Sequence, residues 1–481
     1  MFFWPVVIAI TSLVGLMLSV GVTVHAVLYK RDGTAVIGWV ALVWMAPFLG
    51  AFAYLCLGVN RIQRKATRFK LGNLKELIEP PPLTDEQLRM VEDTALHFPN
   101  LVGLATAVGN LTDTTLTPGN DIKPLIDGDE AYPAMINAIN SAEHSVALLS
   151  YIFDNDKIGG QFVDAMAAAK ARGVEVRVLV DDVGAGYSKP KIFERLKAQE
   201  IRFASFLPTK LPRIPTTANM RNHRKLLIVD GKVGFTGGTN IRDAHRLASN
   251  PGFPVQCLHF KIEGPVVLQM QRAFAIDWAF ATEEVLGSKT WFPTATKVGS
   301  TWSRGIEHGP DESFERLRDV LVSAAASATH RIRIVTPYFL PREALIAALN
   351  SAALRGLEVE IYIPNKTNIP LVQWATEAQL WRLLEKGCKI YKTPEPFDHT
   401  KLMIVDDHWV LLGSTNWDPR SLRLNFEFNL ECYDESLTRQ LHEIVDTKAA
   451  ESLRVKLDDV NNRSFLVKVR DGLARLLIPY L

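Results

Sequence analysis

Cysteine and net charge are what this chain has least of. Four cysteines stand in 481 residues, Cys56, Cys257, Cys388 and Cys432, and no two form a C-x-x-C pair. Such scatter gives no basis for a disulfide framework or a zinc ribbon and fits a reducing compartment. Lys and Arg number 54 against 52 Asp and Glu, which argues against a strongly basic nucleic-acid coat. No cluster of Asp, Glu and His falls at metal-ligand spacing, so neither a metal nor another cofactor is implied. What is there is apolar material, 47% of the chain, and a length that predicts two domains or two fused halves.

The apolar excess lies at the N-terminus. Val6 to Leu28 and Ala35 to Leu57 are uncharged runs, each long enough to cross a hydrocarbon core of about 30 Å as a helix. Lys30-Arg31-Asp32-Gly33-Thr34 forms the turn between them. A cleaved signal would need a basic stretch first, which Met1-Phe2-Phe3-Trp4 lacks, and would leave the second run unexplained. The expectation is a two-helix transmembrane hairpin over residues 1–60, with Pro47 kinking the second helix and His25 as an interfacial side chain. Arg61, Arg64, Lys65, Arg68 and Lys70 outnumber the basic residues of the turn, so the bulk of the chain is expected on the cytoplasmic side.

Residues 61–100 turn polar and carry Pro80-Pro81-Pro82, a linker signature. Beyond them β and α patterns alternate. Val146–Tyr151 and Val174–Val180 have strand character, with helical spacing over Ile158–Arg172 between them. Arg333–Thr336, Pro341–Arg355 and Val359–Ile363 repeat the scheme. The fold class expected is α/β, two pseudo-symmetric halves at 101–292 and 293–481, each a mixed β-sheet flanked by helices.

One constellation occurs twice at identical spacing. His223, Lys225, Asp230, Gly237 and Asn240 are matched by His399, Lys401, Asp406, Gly413 and Asn416, each Asn seventeen residues after its His. Leu226–Val229 and Leu402–Val405 read as strands, the following Asp-Gly and Asp-Asp pairs as turns, and Val233–Thr236 and Val410–Leu412 as the returning strands. Residues i and i+2 share a strand face, so His and Lys point together into one site. Lys supplies a cation for a phosphate oxygen, Asn a neutral donor, and Gly a close backbone approach. Two such cradles packed about a pseudo-twofold would set one His on each side of a phosphodiester. One attacks phosphorus while the other protonates the leaving alkoxide.

The doubled motif resembles the signature of the phospholipase D superfamily, and the flanking text is similar to its bacterial cardiolipin synthases. The stretches that carry the likeness include Arg221-Asn222-His223-Arg224-Lys225, Ile262-Glu263-Gly264-Pro265, Thr336-Pro337-Tyr338-Phe339 and Asn416-Trp417-Asp418-Pro419-Arg420-Ser421. It covers nearly the whole chain. The resemblance implies two phospholipase D-like halves and a phosphatidyltransferase of a bacterial inner membrane. Such an enzyme joins two phosphatidylglycerol molecules into cardiolipin, with the lipid bilayer and not nucleic acid as partner. It makes His223 and His399 nucleophile and general acid/base, Lys225, Lys401, Asn240 and Asn416 phosphate ligands, and Gly238 and Ser414 supports. Asp230 and Asp406 complete the motifs, in a catalytic or a turn-forming role.

In one respect the chain departs from that pattern. A carboxylate downstream of each motif is expected to orient the His; Glu427, twenty-eight residues after His399, is expected to back it, but Cys257 stands at the corresponding place in the first half. Either the first site is weakened or Asp243 or Glu263 substitutes. Two regions stay open between surface and function. Phe465–Leu481 mixes apolar residues with Lys468, Arg470 and Arg475 and suits either an anionic membrane or ordinary packing, with Asp471 and Gly472 weakening its amphipathicity. Arg202, Lys210, Arg213, Arg221 and Arg224 make the approach to the first motif basic. A phospholipase or nuclease of the same fold, a transferase using another phospholipid or alcohol, and a non-catalytic scaffold are the competing readings, and oligomeric state leaves no mark.

Overall fold

The computed structural model describes residues 3–30, 33–58, 98–208, 220–310 and 315–478. The N-terminal helices form one compact unit and the chain from Phe98 onward forms the other. Of the expected linker, all but residues 98–100 lies outside the described residues, as do the basic residues that follow the second apolar run.

In the N-terminal unit one unbroken helix runs Phe3–Tyr29. Among the described residues its stretch Trp4–Tyr29 is the one helix long and apolar enough to cross a membrane. The second run is interrupted. A helix at Gly33–Met45 stops at Ala46, whose backbone is non-helical, and restarts as Pro47–Ala53 before a π-helical turn at Tyr54–Gly58. Proline has no N–H to continue a helix but suits the first position of a new one, so Pro47 divides the segment. The pieces fold back on the first helix. Ser19 Oγ donates to the Val43 carbonyl at 3.0 Å, and His25 Nδ1 shares a 2.7 Å hydrogen bond with Tyr54 Oη, which gives His25 a partner inside the unit.

The larger unit is built on strands numbered here in chain order. The first half contributes β1 (Thr117–Ile126), β2 (Ser145–Ser150), β3 (Glu175–Asp181), β4 (Arg202–Phe206), β5 (Leu226–Val229), β6 (Val233–Gly237), β7 (Val255–Gln256) and β8 (Leu258–Glu263). The second contributes β9 (Thr301–His308), β10 (Arg331–Val335), β11 (Glu358–Pro364), β12 (Lys389–Thr393), β13 (Phe397–Asp398), β14 (Leu402–Val405), β15 (Trp409–Gly413), β16 (Glu427–Tyr433) and β17 (Leu453–Val455). The two expected sheets are one. Fifteen strands run in the order β17-β12-β11-β10-β14-β15-β16-β9-β1-β8-β6-β5-β2-β3-β4. β9 and β1 pair antiparallel at its centre, and about that seam the order of one half mirrors the other. Fusing there removes an exposed edge from each half.

Within a half, local pattern and structure agree closely. β2 and β14 are buried at every residue, as expected for strands covered on both faces. Helices Asp127–Asn140 and Lys157–Ala171 bury Tyr132, Met135, Phe162 and Met166 against Val146, Leu148 and Val178. Val102–Leu111 is the first α-helix of this unit among the described residues, and its contacts lie across the halves. Its Leu104 and Val108 lie in the second half's core with Ile306, Val320 and Leu321. From this helix the chain passes from the core of the second half into the first at β1.

Candidate active site

Both motifs leave their strands at the same end. His223 precedes β5 and His399 precedes β14, and the two imidazole centroids stand 6.4 Å apart at an interplanar angle of 85°. Lys225 Nζ donates to the His223 carbonyl at 2.7 Å, and Lys401 Nζ to the His399 carbonyl at 2.6 Å. The i, i+2 geometry thus holds in both copies. All four side chains are buried.

What orients each His comes from the opposite half. Asn222 bridges Phe426, and His223 N donates to the Phe426 carbonyl at 2.9 Å. Symmetrically, β13 pairs parallel with β7, and His399 N donates to the Gln256 carbonyl at 2.8 Å. Each His segment therefore runs beside the other half's acid-bearing segment. Glu427 lies behind His223, accepting from its Nδ1 at 2.9 and 3.1 Å, and does not back His399 as its sequence position suggested. Strand register makes Cys257 its counterpart, because Gly413 opposes Asn429 in one half and Gly237 opposes His259 in the other. His399 Nδ1 donates instead to the Gly238 carbonyl at 2.9 Å. The expected substitutes take no part in this. Asp243 accepts from Lys157 N, and Glu263 pairs with Lys261.

The replacement is paired. Ser414 Oγ and Asn425 Nδ2 both donate to Glu427, whereas the counterpart of Ser414 is Gly238, which has no side chain to donate. A Cβ there would lie 2.5 Å from Cys257 Sγ and 2.5 Å from the His399 carbonyl. Gly238 is thus a contact surface for His399, and its carbonyl replaces the acid. One His has a carboxylate partner and the other a neutral dipole.

Asp230 and Asp406 do not reach the site. Each sits with positive φ in the turn after its strand, five residues and so roughly 16 Å of strand from its Lys. Asp230 accepts from the backbone N–H of Glu143, His144 and Ser145 at 2.7–2.9 Å. Asp406 likewise accepts from Thr329, His330 and Arg331. Both tie the turn to the entry of a neighbouring strand, which makes their role structural. Asn240 and Asn416 are buried beside the His residues' strands; Asn240 Oδ1 accepts from Ile152 N at 3.3 Å, and Asn416 Nδ2 donates to Ser421 Oγ at 3.2 Å. Asn416 Oδ1 is buried with no partner among the described residues.

Two contributors carried no motif. The Tyr151 ring, just past β2, stands 5.0 Å from His223 and 5.7 Å from Lys225 Nζ. His245 stands 6.3 Å from His399 and donates through Nδ1 to the Val255 carbonyl at 3.1 Å. Their signal was positional: both follow a strand at the end where the motifs lie. Of the basic approach, Arg221 and Arg224 are buried, Arg224 pairing with Asp277 at 3.0 Å, and Arg202 meets Glu284 at 3.3 Å; Lys210 and Arg213 lie outside the described residues.

Burial sets the charge balance. It holds both imidazoles well below the ordinary His range, and Lys225 and Lys401 press them further. It also lowers Lys225 to about 7 and Lys401 to about 8, and raises Glu427 to about 7, with Lys225 opposing. A phosphodiester brings the missing negative charge, which favours ammonium and imidazolium together. The site is built to take an anion between two imidazoles.

Residues 135–249 and 321–448 match the family described as cardiolipin synthase, PLD-like domain. The chain is 31% identical to cardiolipin synthase 2 of Staphylococcus epidermidis over 459 residues, 94% of this chain and 93% of that one. It is also 31% identical to the major cardiolipin synthase ClsA of Bacillus subtilis, covering 94% and 95% of the two chains. Among solved structures, phosphatidylserine synthase of Haemophilus influenzae superposes with a TM-score of 0.60 at 16% identity, over 79% of this chain and all of that one. That likeness is of fold.

Proposed function

The chain belongs to the cardiolipin synthases of the phospholipase D-like type, and on that premise we propose that it joins two phosphatidylglycerol molecules into cardiolipin through a phosphatidyl-histidine at His223. The observation that carries the choice of His223 is its 2.9 Å contact with Glu427. An imidazole that attacks phosphorus through Nε2 becomes cationic, and a carboxylate on Nδ1–H stabilises that charge while fixing the tautomer. His399, held by the Gly238 carbonyl, has no such partner and is the better acid.

In the first step the His223 Nε2 lone pair forms a bond to phosphorus, and the bond to the glycerol oxygen breaks. His399 gives its Nε2 proton to the departing alkoxide, releasing glycerol. In the second, the terminal hydroxyl of another phosphatidylglycerol attacks phosphorus, His399 takes its proton, and the P–N bond breaks to return neutral His223. Lys225 and Lys401 stabilise the charge on the non-bridging oxygens throughout. The helix Trp4–Tyr29 anchors the enzyme where its substrates reside and the body faces the cytoplasm; the expected second crossing is replaced by two short pieces that reverse at Ala46, bringing the Tyr54 ring back to 5.3 Å from Trp39.

The test is to incubate purified protein with phosphatidylglycerol in detergent and follow lipids and glycerol. Cardiolipin and glycerol in equal amounts are expected. Phosphatidic acid with glycerol means that water is the acceptor and overturns the transferase reading.

A further inference from the structure

The last helix, Phe465–Leu476, is fastened to the body along one narrow line. Asp471 is fully buried and ion-paired with Arg463 and Arg470. Arg463 Nη2 also donates to the Glu377 carbonyl at 3.0 Å. Ala474 packs with Leu340, Val372 and Ala375, and the Arg470 guanidinium lies 4.6 Å over the Trp374 ring. The acid that weakened the amphipathic pattern in sequence is thus the helix's inward anchor.

The opposite side is apolar and bare. Phe465, Leu466, Leu473 and Leu476 are 77%, 78%, 60% and 68% exposed, with Val469 and Leu477 also open. At about 100° per residue these six fall within an arc of about 120°, centred opposite Asp471 and Ala474. Lys468 and Arg475 border that arc on one side and Arg470 on the other. An apolar stripe between two basic margins is the pattern of a helix lying in the plane of an anionic bilayer, with long cationic side chains reaching headgroups.

Position adds a second observation. The helix packs on Pro370–Glu377, in a cluster that includes Tyr338 and Trp374. The Tyr338 ring lies 6.1 Å from Phe397, and Phe397 lies 6.0 Å from His399. A series of contacts thus joins the buried side of the helix to the catalytic pair.

We propose that Phe465–Leu477 is an interfacial docking helix that seats the catalytic body on an anionic lipid surface, independently of the N-terminal anchor. It rests on the lipid-substrate reading for its purpose, but not for its test. Full-length Leu473→Cys protein in a Cys56→Ser background, carrying a nitroxide, is reconstituted in vesicles of phosphatidylglycerol and phosphatidylcholine; Cys257, Cys388 and Cys432 are buried. Glu451→Cys serves as an exposed comparison. Accessibility to oxygen should exceed that to a water-soluble nickel chelate at Leu473 and not at Glu451, with the difference shrinking in high salt. Chelate accessibility at Leu473 equal to that at Glu451 overturns the proposal. So does spin–spin broadening without oxygen preference, which would mean a second copy covers the stripe. The labelling measures no cardiolipin, so failure of the assigned reaction leaves that result readable. As a second measurement, a Phe465→Ser/Leu473→Ser variant should lose at least about fivefold in vesicle activity while matching the parent in detergent micelles; equal activity in vesicles also overturns it.

Discussion

Replacing Glu427 with Gln preserves shape and removes the one charge behind the His223 imidazole. The carboxylate oxygen lies 2.9 Å from Nδ1. With charge centres about 4 Å apart and an effective dielectric near 20, its attraction for a cationic phospho-imidazole is about 4 kcal/mol. The amide keeps a dipole and the Ser414 and Asn425 contacts, so about 3–4 kcal/mol should be lost, a drop in kcat of about 10²–10³. The loss must fall on phosphorylation of His223, although Glu427 belongs to the second half. The assay is single-turnover release of glycerol from phosphatidylglycerol, with alkaline quenching, which the P–N bond survives, to capture the phospholipid-modified histidine peptide, and thermal unfolding to confirm the fold. Cys257→Ser, at the equivalent position, should change kcat by less than about threefold, because no charge is removed there. An E427Q enzyme within tenfold of the parent, or a phosphoryl group recovered on His399, would refute the reasoning.

Asp230→Ala leaves three backbone N–H groups without their acceptor, so unfolding free energy should fall by about 3 kcal/mol or more with kcat of the folded enzyme within about threefold, as read by urea titration beside steady-state rates. Lys225 and Lys401 are lowered to about 7 and 8, and a cation is lost as pH rises through its folded pKa. Calorimetric binding of glycerol phosphate should therefore weaken by at least about tenfold from pH 6.5 to 9 and take up protons near pH 7.5; a flat profile contradicts the lowered values. Gly238→Ala drives a methyl into the His399 carbonyl and Cys257, so kcat should fall by about 10²-fold through misalignment while unmodified His399 still titrates by NMR; full activity would show that the contact relaxes freely.

Much of this molecule is local and was legible without coordinates. β5 and β14 occupy the very residues their apolar runs marked, and the other strands and helices predicted beyond residue 100 shift by at most two residues at either end, whereas the second apolar run of the N-terminus is broken at Ala46. The crossing of the acids was not legible. Twenty-eight residues separate Glu427 from His399, and nothing in that spacing says that a parallel bridge between Asn222 and Phe426 sends the carboxylate to the other motif. Asp230 and Asp406, left open between a catalytic and a turn-forming role, show the converse: identical spacing in two copies marks any shared requirement, and both aspartates accept from the backbone at the entry of neighbouring strands.

The sequence by itself determined the repeat, the residue types that can hold a phosphodiester, the family, and the presence of an apolar N-terminal helix, because each depends on composition or on spacings within one element. Tertiary structure alone decided that two half-sheets fuse at β9 and β1, that Glu427 serves His223 while a backbone carbonyl serves His399, and that Asp471 turns inward to leave an apolar stripe outside. Those outcomes depend on pairings between segments a hundred or more residues apart or on which face of a helix is buried, and no local pattern encodes either.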